Sequence, residues 1–370
     1  MELDDVEEVT VNMTSQEKKP NPLEENSGLK NVKSIIAISS CKGGVGKSTV
    51  AASLAKEVSQ RGFSVGLLDA DLFGPSVPTL FNLQGAEVED SEDKKLIPLN
   101  VDGLKVMSFG FFLGDQPAVM RGPMVSNYIK NLLHGVEWGE LDYLFLDMPP
   151  GTGDIQLTIT QSIQLDGAVI VTTPQILSLV DVGKGILMFD KVSVPVLGVV
   201  ENMAYFECDG CSKKHYIFGG DAANILKNRF GIEILARLPI SYSYGKTFDK
   251  HVENKEAIQL ADQVIKAFGK NTLTGNVKPE IEFDVDKITL RWADGNTMSV
   301  KNFDLRVNCK CANCIHEITG EKLLDIMDVP EDIVAEEIKP VGNYAISVHW
   351  SDGHSSGLYS YNLIKSLSTN

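Results

Sequence analysis

The chain of 370 residues carries 34 Lys+Arg against 50 Asp+Glu, a formal charge of −16, with 43% hydrophobic and 23% charged residues. That balance is ordinary for a soluble protein with a substantial core, and at about 150 residues per domain the length points to two domains. It excludes a general nucleic-acid binder and electrostatic docking on anionic lipid, and no run approaches the ~18 apolar residues of a membrane-spanning helix.

Residues 1–32 read as a disordered acidic tail: they are polar, contain Pro20-Asn21-Pro22 and begin Met1-Glu2-Leu3-Asp4-Asp5-Val6-Glu7-Glu8. Such a start is the opposite of an Arg-rich transit peptide, so the expected location is cytoplasmic. From Ser34 the pattern changes to short β-branched strands alternating with helices. Strands are expected at Ser34–Ser39, Val65–Asp69, Leu104–Phe109, Tyr143–Asp147, Ala168–Thr173, Val196–Val200 and Ile234–Leu238. Helices are expected at Lys47–Arg61, Pro123–Leu133, Asp154–Ile163, Ser178–Phe189, Asp221–Phe230 and Glu253–Phe268, the last ending at Gly269.

The fold class is therefore α/β, a doubly wound and mostly parallel sheet over residues 33–268. Residues 269–280 read as a linker, and 281–370 as a small α+β domain. Two hairpins are expected there, because Trp292-Ala293-Asp294-Gly295 and Trp350-Ser351-Asp352-Gly353 each close an alternating run with Asp-Gly.

Between the first strand and helix lies Ser40-Cys41-Lys42-Gly43-Gly44-Val45-Gly46-Lys47-Ser48-Thr49. This strand–loop–helix setting is what a phosphate-binding loop requires, since glycines let successive N–H groups curve around a phosphate at a helix N-terminus. Lys47 then reaches the β- and γ-phosphates of ATP, and Ser48 coordinates Mg²⁺. Asp71 and Asp147 follow expected strands, facing the ligand crevice. Asp147 suits the Mg²⁺ shell and Asp71 the hydrolytic water. A second lysine, Lys42, is redundant for a site within one subunit.

The Cys208-Asp209-Gly210-Cys211 pair supplies two thiolates where a tetrahedral metal or a cubane wants four, and a twofold dimer would bring two pairs together. A zinc site or a redox pair remains an alternative, although a redox pair favours a helix N-terminus. Further on, Cys309-Lys310-Cys311-Ala312-Asn313-Cys314 offers three thiolates and lacks a fourth ligand, for which His316, His349 and His354 are candidates. Zinc, an Fe–S role and bare thiols all remain open for this trio.

The phosphate loop, Asp69-Ala70-Asp71-Leu72-Phe73-Gly74-Pro75-Ser76, Asp147-Met148-Pro149-Pro150-Gly151-Thr152-Gly153-Asp154, Arg121-Gly122-Pro123-Met124 and Val200-Glu201-Asn202-Met203 closely resemble the Mrp-type branch of deviant Walker A ATPases. The resemblance spans about 34–268. It implies homo- or heterodimeric Fe–S cluster carriers serving apoproteins, with slow ATP hydrolysis. It also implies that Lys42 crosses to the partner's nucleotide, that Asn202 lies beside the adenine, and that Cys208 and Cys211 hold a shared 4Fe–4S cluster. That family places proline where Asp209 stands.

Leu290-Arg291-Trp292-Ala293-Asp294-Gly295, the cysteine trio and Trp350-Ser351-Asp352-Gly353-His354 resemble the amino-terminal-type domain of γ-butyrobetaine hydroxylase. Some of its members close a structural Zn²⁺ site with the histidine matching His354. The tandem as a whole resembles the plastid high-chlorophyll-fluorescence type of Fe–S scaffold. Alternative functions are a positioning ATPase like MinD or ParA, which wants a basic amphipathic terminus that Leu363–Asn370 does not offer, and a nickel or zinc insertase.

Overall fold

The computed structural model describes residues 27–368 except 73, 114–121, 220–225, 227–229, 241–254, 275–277, 294, 312, 317–320 and 343. In chain order the first domain runs β1 (Val32–Ser39), α1 (Lys47–Gln60), β2 (Val65–Asp69), α2 (Val77–Leu80), β3 (Leu99–Val101), β4 (Leu104–Ser108), α3 (Gly110–Leu113), α4 (Gly122–His134) and β5 (Leu141–Asp147). It continues with α5 (Asp154–Ser162), β6 (Gly167–Thr172), α6 (Ile176–Lys191), β7 (Val196–Glu207), β8 (Lys214–His215), β9 (Ile234–Pro239) and α7 (Lys255–Thr274).

These strands form one nine-stranded sheet in the order β3-β4-β2-β5-β1-β6-β7-β8, with β9 also on β7. Its central pairs are parallel, β1 against β5 and β6, and β2 against β4 and β5. Alternation along β1 builds both faces. Ile36 and Ile38 join Val50, Leu54 and Val264 in one apolar layer, while Ile35 and Ala37 join Ile129, Leu133 and Ile186 in the other. Each such aliphatic side chain, fully buried, contributes about 1.5–3 kcal/mol. The parallel strands end together at Ser39, Asp69 and Asp147, which places the phosphate loop and both acidic segments along one edge.

Several expectations need correction. Ser27 Oγ bonds His134 Nδ1 at 2.8 Å and the Gly28 N–H donates to the His134 carbonyl, so the start of the expected tail's last segment is anchored to α4, with Lys30 and Asn31 exposed; residues 1–26 lie outside the described set. β7 does not stop at Val200 but runs twelve residues to Glu207, because Met203 takes a left-handed conformation (φ 55°) and bulges the strand onward. α7 passes through Gly269 to Thr274, occupying the first half of the expected linker. Gly269 sits in open space without positive φ, so it costs the helix about 1 kcal/mol and does not break it. Most of the expected helix 221–230 lies outside the described residues.

The second domain comprises β10 (Glu280–Phe283), β11 (Lys287–Arg291), β12 (Thr297–Lys301), α8 (Asn302–Val307), a 3₁₀ turn (Ile326–Asp328), β13 (Ala335–Val341), β14 (Ala345–Trp350), β15 (Leu358–Ser360) and α9 (Tyr361–Leu367). Each expected hairpin gains a third strand, giving two antiparallel sheets, β10-β11-β12 and β13-β14-β15. Their common core holds Trp350, Tyr359, Leu305, Ile346 and the three cysteines of the trio. α9 buries Leu363 and Ile364 there, so it is a structural helix of this domain.

The two domains share apolar surface. Val341, Tyr344 and Ala345 join the first-domain cluster of Ile186, Phe189 and Phe230, and Asp190 of α6 accepts the Gly342 N–H. Gly231 (φ 70°) has no room for a side chain, since a Cβ would meet Ser360 at 2.8 Å.

Candidate functional site

The phosphate loop leaves β1 at Ser39 and enters α1 at Lys47, with Gly46 as the N-cap residue (φ 80°). A Cβ on Gly46 would lie 2.3 Å from Asn202 Nδ2, so glycine is required for Asn202 to approach and donate to the Val45 carbonyl at 2.8 Å. Asn202 is buried and braces the loop from β7. Gly43 and Gly44 are exposed, and Thr49 and Ser48 are half-buried in the first turn of α1. The half-buried Lys42 makes no ion pair among the described residues. Cys41 packs against Gly185 of α6, and burial pushes its thiol up to about 11, making it a packing residue at neutral pH.

At the base of the loop Lys47 Nζ forms a buried ion pair with Asp147 Oδ1 and reaches Ser48 Oγ at 3.3 Å. Asp147 Oδ2 is buried without a hydrogen-bond partner. Burial raises the Asp147 carboxyl, against the opposing pull of Lys47 and of a hydrogen bond from Ser48. Ser48 and Asp147 thus stand together around one unpartnered carboxylate oxygen. That oxygen and hydroxyl are the hard-donor chemistry of a Mg²⁺ site.

Asp69 escaped the sequence reasoning, which took only the second Asp of Asp-Ala-Asp. Its Oδ1 accepts from the Asp71 N–H at 3.1 Å, and its Oδ2 from the Ser76 and Val77 N–H groups and from Ser108 Oγ at 3.0 Å. The carboxylate therefore anchors the segment that carries Asp71, itself only 8% exposed. The sequence places Asp69 at a buried strand end before Gly-Pro-Ser, but does not tell which carboxylate of Asp-Ala-Asp anchors the turn.

Burial, followed by the charge of neighbouring Asp147, pushes the Asp69 carboxyl up to about 7 from an unfolded value near 3.8. The folded protein thus holds a proton that the unfolded chain releases, and this contribution to stability is complete below about pH 4 and lost as pH rises through 7. Melting temperatures between pH 5 and 8 should show this decline in the wild type relative to Asp69→Asn, which lacks it. Parallel profiles for the two proteins would refute the assignment.

Past Tyr205, which still pairs with Pro239 of β9, β7 leaves the main sheet and turns back as β8, pairing Phe206 with His215 and Glu207 with Lys214. Cys208 and Cys211 occupy its tip as free thiols, closed by Cys208 N–H to Lys213 O and Ser212 N–H to Cys208 O. The Gly210 and Cys211 backbone N–H groups hold the Cys208 thiol below its ordinary value. The pair lies at no helix N-terminus, which removes the arrangement a thioredoxin-like couple favours. Tyr205 meets Tyr216 at 6.0 Å and Lys214 covers the Tyr205 ring at 4.2 Å, fixing the hairpin to the body. Around the tip Phe206, Tyr216, Ile217 and Phe218 are exposed.

In the second domain His354 Nε2 lies 3.2 Å from Cys309 Sγ, 3.6 Å from Cys311 Sγ and 3.9 Å from Cys314 Sγ. All four ligand atoms fall within 4.8 Å of one another. A tetrahedral zinc with Zn–S near 2.3 Å spaces its ligands about 3.5–3.8 Å apart, so the set fits one mononuclear ion. Cys309 donates to Cys311, holding Cys311 far below the ordinary thiol range and raising Cys309. Of the other histidines, His349 pairs with exposed Glu336 at 3.0 Å, and His316 is absent from the cluster. Arg121 lies outside the described residues, as do the side chains of Gly122–Met124.

Two family models match the chain: that of the ParA-class NUBPL iron-transfer P-loop NTPases over residues 31–271, and that of the γ-butyrobetaine hydroxylase-like N-terminal domain over 280–365. The chain is 42% identical over 363 residues to a chloroplastic Fe–S cluster assembly factor of Arabidopsis thaliana, HCF101, covering 95% of this chain and 68% of the relative. It is 51% identical over 221 residues to an iron–sulfur cluster carrier protein of Aquifex aeolicus, covering 59% of this chain and 61% of that one. Among solved structures, a nucleotide-binding protein of Archaeoglobus fulgidus in complex with ADP is 42% identical with a TM-score of 0.54, covering 62% of this chain and 89% of that one.

Proposed function

From the premise that the chain belongs to the NUBPL-type iron-transfer P-loop NTPases and carries a γ-butyrobetaine hydroxylase-like N-terminal domain, we propose that it is an ATP-dependent carrier of a 4Fe–4S cluster for apoproteins. One observation carries this reading: Asn202, which braces the phosphate loop, and Cys208 lie on one continuous stretch beginning in β7. Anything that moves the loop on nucleotide binding bears on the strand that presents the thiols.

Each chain offers two exposed thiols, and a cubane takes four. A second copy, or a related ATPase, supplies the rest, and the exposed Phe206, Tyr216, Ile217 and Phe218 give that contact an apolar rim. Lys42, without a carboxylate partner among the described residues, is the lysine available to the partner's nucleotide. Lys47 engages the phosphates, and Asp71, held by Asp69, orients the water for slow hydrolysis. Ser48 and Asp147 would hold Mg²⁺, which offsets phosphate charge when bound. Asn202 has a second role beside the adenine. The trio with His354 holds a structural Zn²⁺.

On location, among the described residues no helix is long and apolar enough to cross a membrane. The plant relative is chloroplastic, so a plastid location stands beside the expected cytoplasmic one, and fractionation decides between them.

Anaerobic reconstitution with iron and sulfide tests the central reading. The wild type should gain about four irons per dimer, and Cys208→Ala close to none at the hairpin, with ATP affinity unchanged. Equal iron in both proteins would sink the proposal.

A further inference from the structure

Arg306 of α8 is only 5% exposed, and a guanidinium stays charged at any working pH, so its burial needs compensation. Its surroundings connect three of the four members of the cysteine–histidine cluster. Nε donates to Asp352 Oδ2 at 2.8 Å, and Nη1 points to Cys314 Sγ at 3.6 Å. Asp352 Oδ1 in turn accepts the His354 N–H at 2.9 Å, and the Arg306 carbonyl accepts the Cys309 N–H at 3.2 Å. The thiols arrive on the segment 309–314 and the imidazole on the turn after β14, roughly forty residues later, and Arg306 touches both.

We infer that Arg306 is a positioning residue that locks together the two halves of a three-thiolate metal site. The inference rests on the zinc reading above. A divalent ion with three thiolates and a neutral imidazole carries 2 − 3 = −1, buried beside the Arg306 cation. The guanidinium holds Cys314 and, through Asp352, the His354 turn in the arrangement that a bound ion requires. Its rigid fork serves two partners in different directions, which a lysine ammonium on a flexible stem does less well. A hydrogen bond to a metal-bound sulfur also fixes that ligand's orientation.

The test is zinc affinity of the full chain, measured by competition with a chromophoric chelator, alongside the melting temperature of the chelated protein. Arg306→Met should bind Zn²⁺ about 10–100-fold more weakly than wild type. Arg306→Lys, which keeps the charge and one contact, should fall between them, and it decides the matter if the Met variant does not fold. Wild-type zinc affinity in the variants, with only the metal-free melting temperature lowered, would reduce Arg306 to a packing residue. A wild-type chain that takes up no zinc fails the metal reading itself, and the inference with it.

Discussion

Lys47→Met should destabilise the nucleotide-free protein by about 3–5 kcal/mol, a large share of a typical domain's stability. Lys47 and Asp147 are 6% and 0% exposed, and removing the cation leaves a carboxylate in the sheet with no partner charge. Burial already raises the Asp147 carboxyl, so the variant can escape by taking up a proton there. The loss should therefore be smaller at pH 5 than at pH 8. Adding Asp147→Asn removes the stranded charge and should restore most of the stability, the signature of direct coupling.

The same pair shapes nucleotide binding. On the proposed reading, Lys47 would leave Asp147 to reach phosphate, and Asp147 with Ser48 would hold Mg²⁺ in place of the departing cation. ATP should consequently bind far better with Mg²⁺ than without it. Lys47→Met should weaken binding about 100-fold, the scale of a charge-assisted contact of 2–3 kcal/mol. Urea denaturation and calorimetric titration read the two effects. Equal stability of Lys47→Met and wild type would show that the ion pair contributes nothing.

Stripping metal from the second domain should lower its melting temperature by at least about 10 °C, and Cys314→Ser should do the same. Cys309, Cys311 and Cys314 are all 5% exposed or less and are packed with Trp350, Tyr359 and Leu305, so an ion held by them would sit inside the core of the domain. In zinc-finger peptides metal binding supplies roughly 10–16 kcal/mol of folding free energy. Here two three-stranded sheets and an apolar core around Trp350 and Tyr359 also hold the domain, so a smaller fraction is expected. Of the three tryptophans, Trp292 and Trp350 report on this domain and Trp138 on the first, which gives fluorescence a clean separation. Unchanged melting after complete chelation would make the cluster dispensable for stability.

The phosphate loop, β2 and the end of β5 were legible because their signals are local: β-branched runs bounded by glycine, and carboxylates at strand ends. β7 was read too short because its apolar run stops at Val200; Glu201 and Asn202 look like the start of a loop. Only the left-handed turn at Met203 and the pairing to β9 and β8 reveal that the strand continues to Glu207. Gly269 misled in the opposite sense, since a glycine ends a helix only where the chain then adopts positive φ. Asp69 was passed over because nothing in Asp-Ala-Asp tells which carboxylate faces the backbone N–H groups of the next turn.

What the sequence determined alone was the set of chemical parts: a phosphate loop on a βαβ unit, one pair of thiols and one trio. Periodicity and glycine placement encode these within a few residues of chain. Tertiary structure decided which parts meet. It chose His354 over His316 and His349, brought Asn202 under Val45 across 157 positions, and set Arg306 between the cysteines and their histidine. Those approaches depend on how sheets and helices pack at distances that no local pattern of residues records.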